Sequence, residues 1–321
     1  MTATTVSSPA TPTFAKVSGK RRVKNNLATV LVIACFLIAL IPLVWLLWTV
    51  ISKGLGVILH ADWWMSSQRN INYTDRGGGA LHAIVGSLEQ VALCTVISVP
   101  VAILVGVYLV EYGRGWFART TTFMVDILTG IPSIVAALFV YALIISTGGG
   151  HRAAWLVSLA LVVLMIPVIV RTTEEMLKLV PNELREASYA LGVPKWKTIT
   201  KIVIPTAFTG LVTGVVLGVA RVAGETAPLL ILVGYADSTN WNLFGGFQGS
   251  LPSMINSQFT NLNQASGGGG YHLDANGNRV AGSVMNYAPD RMWGTALTLI
   301  LIILLLNLIA RFIGRFNKVS K

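Results

Sequence analysis

Charge is scarce in this chain. Asp, Glu, Lys and Arg make up 12% of its 321 residues, about half of the ~25% usual in soluble domains. Hydrophobic residues make up 54%. A water-soluble domain cannot hide that much apolar surface behind so few charges, and a disordered chain would not carry it. Both classes are excluded, and a membrane protein remains. Cysteine is nearly absent: Cys35 and Cys94 each fall inside an apolar run and read as small buried hydrophobes, not as a disulfide or metal pair. The four histidines (His60, His82, His151, His272) are scattered between the apolar runs, so they are expected to be solvated and to hold no metal. No Gly-x-x-x-x-Gly-Lys-Ser/Thr loop occurs. Gly77-Gly78-Gly79 and Gly148-Gly149-Gly150 lack the lysine and read as turns, so the chain is not expected to bind ATP itself. No nucleophile has a base beside it, which argues against an enzyme, and no internal repeat is visible.

What the sequence has is long apolar runs. A bilayer core needs ~20 apolar residues in helix, and runs of that length lie at about 27–51, 84–110, 120–146, 153–174, 203–234 and 292–313. Residues 1–26 form a tail, uncharged to residue 15 and then basic through Lys16, Lys20, Arg21, Arg22 and Lys24. This resembles a signal peptide in outline. The apolar run after it is longer than ~15 residues and has no small-x-small site, so it is expected to stay as the first membrane helix. Residues 52–83 and 235–291 are the long polar segments of one side, and 84–313 is the permeation core with a short tail at 314–321. Trp63 and Trp64 are expected at the membrane interface. Ser266–Gly270 reads as a flexible linker, and Leu251–Phe259 as an amphipathic stretch able to lie on the membrane surface.

Six spans put both termini on one side. The tail, the loop with Arg114 and Arg119, the segment 171–201 and the end with Arg311, Arg315, Lys318 and Lys321 hold most basic residues. The opposite side holds only Lys53, Arg69, Arg76, Arg152, Arg279 and Arg291. The positive-inside rule therefore places both termini in the cytoplasm of a multi-pass cell-membrane protein. The net charge of +11 is explained by topology, and the basic groups form no stripe with stacking aromatics, which excludes a nucleic-acid partner.

Between the fourth and fifth spans, Asn182–Ala190 reads as a short cytoplasmic helix. Asn182 is expected as its N-cap, Glu183 sits where the helix dipole favours an acid, Gly192 suits a left-handed C-terminal position, and Pro194 blocks continuation. The order Glu186-Ala187-Ser188-x-x-x-Gly192, nine residues, then Ile202-x-Ile204-Pro205 resembles the coupling loop of ABC-importer permeases, departing mildly at Ser188 and Ile204. The resemblance implies that segment 182–205 docks on an ATPase subunit.

Four ionisable residues lie well within the expected spans: Glu89, Asp126, Arg221 and Glu225. Charge at that depth is a functional-site hypothesis by default. On a continuous fifth helix Gly210, Gly214, Gly218, Arg221 and Glu225 share an arc of about 80°. The glycines would pack on another helix, and Arg221 and Glu225, four apart, can pair. In one reading Arg221 offers its guanidinium to a crossing oxyanion and Glu225 holds it between turnovers; in the other the two are a buried pair that orders the bundle. Glu89 and Asp126 read as structural. Pro132, after Gly130, and Pro228 allow local bending.

The stretch Arg221-Val-Ala-Gly-Glu225-Thr-Ala-Pro228-Leu resembles the fifth-helix signature of the PstA-type permease family of bacterial phosphate ABC importers. Tyr108–Tyr112, Asp126–Ser133 and Arg171–Met176 resemble the same family. The resemblance implies an all-α type I ABC importer permease fold with six transmembrane helices and alternating access. It also implies a PstC-type permease partner, two PstB-type ATPases carrying ATP with magnesium, and an extracytoplasmic phosphate-binding protein that delivers phosphate. No cofactor is implied on this chain. Phosphonate, sulfate or molybdate stays open as cargo, because a guanidinium does not by itself separate one oxyanion from another. A secondary transporter would show paired interrupted helices, which the sequence does not reveal.

Overall fold

The computed structural model describes residues 19–267, 271–273, 279–281 and 286–316. The tail before residue 19, Gly268–Gly270 of the expected linker and the residues after 316 lie outside them. Helix α1 (Gly19–Ile58) exceeds the expected first span at both ends. The chain divides within it into two compact units, residues 1–49 and 50–321. In the first unit α1 is basic over Lys20–Lys24 and apolar on every side from Leu27 on, and most of its side chains, Leu31, Phe36, Trp45 and Trp48 among them, are exposed. Cys35 shares that exposure, against the expected burial.

The second unit holds the remaining elements. These are α2 (Ala61–Met65), α3 (Leu81–Val107) continued by a wide turn at Tyr108–Tyr112, α4 (Gly115–Thr129), α5 (Ser133–Val140) continued by a wide turn at Tyr141–Ser146, and α6 (Ala154–Lys178). Next come α7 (Asn182–Ala190), α8 (Lys195–Thr198) running through a wide turn at Ile199–Val203 into α9 (Ile204–Ala223), α10 (Ala227–Leu232), α11 (Leu251–Gly267) and α12 (Ala288–Phe316). A small antiparallel pair, β1 (Tyr271–Leu273) and β2 (Arg279–Ala281), is the one departure from an all-helical fold among the described residues.

Among the described residues five helices are long and apolar enough to cross a membrane; a sixth crossing is made only if α4 and α5 count together, and their axes differ by 106°. The expected third span, with a local bend at Pro132, is therefore broken outright. Pro132 is extended (φ −61°, ψ 139°) and caps α5. A proline also keeps its predecessor out of the helical region, so α4 has to stop before it. The fifth span is broken too. α9 ends at Ala223, and Gly224 and Glu225 close a tight turn through N–H bonds to Arg221 O and Val222 O. Pro228, in the first turn of α10, would in a continuous helix collide with the Gly224 carbonyl. The run at 203–234 is long enough for a broken span to be expected there, but the pairing of two interrupted helices is not visible in the sequence; α5 packs on α10.

The core is built around α6. Leu156, Val157, Ala160, Leu161, Met165, Ile169 and Val170 are all buried, as expected of a helix apolar on every side. It packs on α3, α4, α5, α9 and α10. Small residues let backbones approach where lipid supplies no hydrophobic drive. Gly106 of α3 faces Thr173 of α6, and Gly210, Gly214 and Gly218 of α9 face Met176, Thr172 and Ile169 in turn. The expected close packing of the glycine stripe is present.

At the end of the bundle away from α7, a second cluster gathers Trp63, Ala80, Ala83, Leu251 and Met254. Trp63 is thus buried, not interfacial, and its indole N–H has a partner in Thr298 Oγ1 at 2.9 Å. The Leu251–Phe259 stretch begins α11 and packs on α3 and α12 instead of lying on a membrane surface. His82 is buried in the first turn of α3, 3.0 Å from the Tyr235 hydroxyl, where a solvated loop histidine was expected. Arg291 fastens this end by donating to the carbonyls of Gly77, Asn72 and Asp75.

Candidate functional site

The α7 segment is the first part of the site. Pro181, not Asn182, occupies the N-cap position, and the Asn182 side chain instead accepts from Arg185 Nη1 at 3.3 Å. The expected cap fails because the proline already sets the extended entry angle. Glu183 stands in the first turn as expected. At the other end Gly192 is left-handed at φ +76°. Its N–H bonds Tyr189 O at 2.9 Å, and Val193 N–H bonds Ser188 O at 3.2 Å, the paired 5→2 and 6→1 bonds of a Schellman cap. Ser188, buried, exchanges a hydrogen bond with Thr198 at 2.8 Å and so ties α7 to α8. Glu186 and Ala187 are exposed, and Pro205 opens α9.

Two further residues fix this helix, and both escaped the sequence reading as a pair. Arg185 donates from Nε and Nη2 to Glu111 Oε1 at 3.0 and 2.9 Å, from Nη1 to Val180 O, and from Nη2 to Leu177 O. The two side chains are 12% and 5% exposed, so the charges are paired and almost out of water. Lys195 bonds the Glu111 carbonyl and lies 4.7 Å over the Tyr112 ring. α7 is thereby bolted to the ends of α3 and α6. Around it Leu179, Leu184, Tyr189, Leu191 and Trp196 are exposed, Leu191 to 83%. These exposed apolar side chains, with Glu183, Glu186 and Lys197 exposed among them in sequence, give the segment the composition of a protein-docking surface.

The charges of the spans are the second part. Arg221 is exposed in the last turn of α9, while Glu225 lies beyond the helix end in the break. The expected one-turn pairing therefore does not form, and among the described residues no ion pair joins them. Gly130 and Pro132 are at the other break, and Pro228 is buried at the start of α10. The expected intramembrane charge that does find a guanidinium partner is Asp126. Arg171 of α6 bonds Asp126 of α4 and, at 2.9 Å, Glu174, which is also 3.6 Å from Lys178. Arg171 stands near the end of the expected fourth span, which the helix extends to Lys178, and its pairing with Asp126, 45 positions earlier, is not visible in the sequence. Glu89 accepts from Gln248 at 2.5 Å, within a polar group that includes Gln90 and Ser158. Near α11, burial pushes the Tyr235 hydroxyl well above its usual range. Desolvation also raises the Asp237 carboxyl, against the Tyr235 hydrogen bond and the Arg291 charge.

Residues 98–318 match the family of binding-protein-dependent transport system inner membrane components. The chain is 49% identical over 292 residues to the phosphate transport system permease protein PstA of Mycobacterium leprae, covering 91% of this chain and 89% of that one. It is 36% identical over 292 residues to the Pasteurella multocida protein of the same name, covering 91% and 94%. Among solved structures, a chain of a bacterial alginate ABC transporter matches with a TM-score of 0.62 at 12% identity, over 94% of this chain and 99% of that one. A chain of the MetNI methionine ABC transporter matches with a TM-score of 0.53 at 19% identity, over 75% and 94%. Both show the fold, that of a type I ABC importer permease. By the matched region and by identity over nine-tenths of its length, the chain belongs to the binding-protein-dependent transport system inner membrane components and, within them, to the PstA permeases of phosphate transport systems.

Proposed function

We propose that this chain is the non-catalytic membrane subunit of an ATP-driven importer that moves inorganic phosphate into the cell by alternating access. The cargo rests on the relatives named for phosphate transport. The observation that carries the coupling is the fastening of α7, a capped helix with an exposed apolar patch held to α3 and α6 through Arg185 and Glu111. A helix so held passes a push on to the spans instead of hinging away.

In this reading the Glu186–Gly192 face docks on one of two PstB-type ATPases, where ATP with magnesium supplies the work. A PstC-type permease completes the pathway, and an extracytoplasmic phosphate-binding protein delivers the anion. The α7 end and both termini are cytoplasmic, as the basic residues around α7 favour. Closure of the ATPases moves α7. Through Pro205 and the glycine seam α9 shifts on α6, and the breaks at Gly130–Pro132 and Gly224–Thr226 absorb the change. Arg221, exposed and without an ion-pair partner among the described residues, meets the phosphate, and Glu225 in the adjacent break opposes tight retention.

The test is labelled phosphate uptake at low external phosphate in cells lacking the native copy. They are complemented with wild type, Arg221→Gln or Glu225→Gln at matched membrane abundance, with excess sulfate as competitor. Uptake that sulfate does not depress and that Arg221→Gln abolishes is the expected result. Uptake unchanged in Arg221→Gln would make that residue structural, and uptake depressed by sulfate would make the cargo a broader oxyanion class.

A further inference from the structure

Arg171 has two carboxylate partners in unlike situations. Glu174 is 5% exposed and also lies 3.6 Å from Lys178, whereas the Asp126 side chain is 56% exposed. Glu174 is locked; Asp126 is open to exchange. The four groups are formally neutral together, so displacing Asp126 leaves a net positive site. A guanidinium fork takes a tetrahedral oxyanion as readily as a carboxylate.

The position matters as much as the charge. Gly214 and Gly218 of α9 face Thr172 and Ile169 of α6, so Arg171 is level with about residue 215 of α9. Arg221 is about six residues farther from the α7 end, or ~9 Å at 1.5 Å per residue. At 100° per residue Met165, Ile169, Thr172 and Met176 form the α6 face toward α9, and Arg171 lies round the helix from it toward α4. Because α6 and α9 run antiparallel, that flank and the exposed flank of α9 with Thr213, Leu217 and Arg221 fall on the same side of the glycine seam. One open side of the bundle thus carries two guanidinium groups at two depths.

We infer that the Arg171–Asp126 pair is a second anion station, nearer the α7 end than Arg221, where the crossing phosphate displaces the Asp126 carboxylate from Arg171 and is displaced by it again on exit. This rests on the phosphate reading above. Passage needs sites weak enough to leave, and two stations with a resident competitor supply that. Lys178, one turn on, holds Glu174 in place while Asp126 is away.

The test uses the complete complex, permease pair with its ATPases, from cells making wild type, Arg171→Gln, Arg171→Lys or Asp126→Asn at matched abundance. Two quantities are read: labelled phosphate uptake, split into KM and maximal rate, and labelled phosphate retained on the purified complex after rapid washing. Arg171→Gln should lower the maximal rate at least tenfold with KM within about twofold, because external capture is done elsewhere, and Arg171→Lys should recover part of it. Asp126→Asn should retain several-fold more phosphate than wild type, because the competitor is gone. A merely structural pair predicts that Asp126→Asn and Arg171→Gln change retention in the same direction, and that result overturns the station. So does a wild-type maximal rate in Arg171→Gln. If Arg171→Gln fails to assemble, retention in Asp126→Asn decides alone. Failure of wild type to carry phosphate would sink the phosphate reading itself; a phosphate-carrying wild type with indifferent variants would sink only the station.

Discussion

At the scale of single residues, the site is governed by which charges have partners. Glu111 and Arg185 are both nearly out of water, so removing one leaves the other buried and uncompensated. Loss of one partner of such a pair costs about 3–5 kcal/mol, whereas replacing both by neutral groups of similar shape is often close to neutral. Arg185→Gln should therefore lower the melting temperature of the purified complex by several degrees, and Glu111→Gln with Arg185→Gln should recover most of the loss. Differential scanning fluorimetry of the two variants checks this, and a double variant less stable than Arg185→Gln would refute the pairing argument. None of this was legible in order along the chain. The two residues are 74 positions apart, and each alone reads as an ordinary charge at a helix end. Arg221 is the reverse case: its place in a long apolar run is legible, but its pairing with Glu225 presupposes a helix that in fact stops two residues later at Ala223.

At the scale of elements, what the sequence reveals depends on how local the cause is. The C-terminal stop of α7 is written in five neighbouring residues, and the Gly192 cap forms as read. The breaks at Gly130–Pro132 and Gly224–Thr226 depend on neighbours as well as on proline, since freed backbone groups survive in a membrane only where other helices cover them. Their prolines were visible as bends, yet interruption became plain only with α5 packed on α10. The glycine seam of α9 was legible from spacing and yields a graded expectation. A Cβ at Gly214 would stand 2.7 Å from the Cβ of Thr172, a β-branched side chain with little freedom. At Gly210 it would meet the flexible side chain of Met176, and at Gly218 the nearest atom is Ile169 Cγ1 at 3.1 Å. Gly214→Ala should cost about 1–3 kcal/mol by overpacking, Gly210→Ala less because methionine yields, and Gly218→Ala least. Thermal denaturation of the three variants in detergent gives the order, and a Gly218→Ala more damaging than Gly214→Ala would mean that α6 and α9 meet in another register.

At the scale of the whole molecule, the contacts form a continuous mechanical line. α7 reaches α3 through Arg185 and Glu111, and reaches α9 through Ser188, Thr198 and the wide turn at Ile199–Val203. α9 meets α6 along the glycines, and α6 holds α4 through Arg171 and Asp126. Gly192 is where this line can be weakened without touching a span. Nothing lies within 4 Å of a Cβ built there, so a side chain would clash with no neighbour; the whole penalty is the left-handed backbone at φ +76°. That conformation costs a residue with a Cβ roughly 1–2 kcal/mol, most for a β-branched one and least for asparagine. Gly192→Val should therefore leave insertion and the spans intact but loosen the end of α7. Capture of the ATPase subunit should fall several-fold, and Gly192→Asn should fall between the two. Pull-down of the ATPase from membranes with matched permease levels measures it. Equal capture by glycine and valine would mean that α7 is an interfacial helix and that the motion of the ATPases enters the bundle by another route.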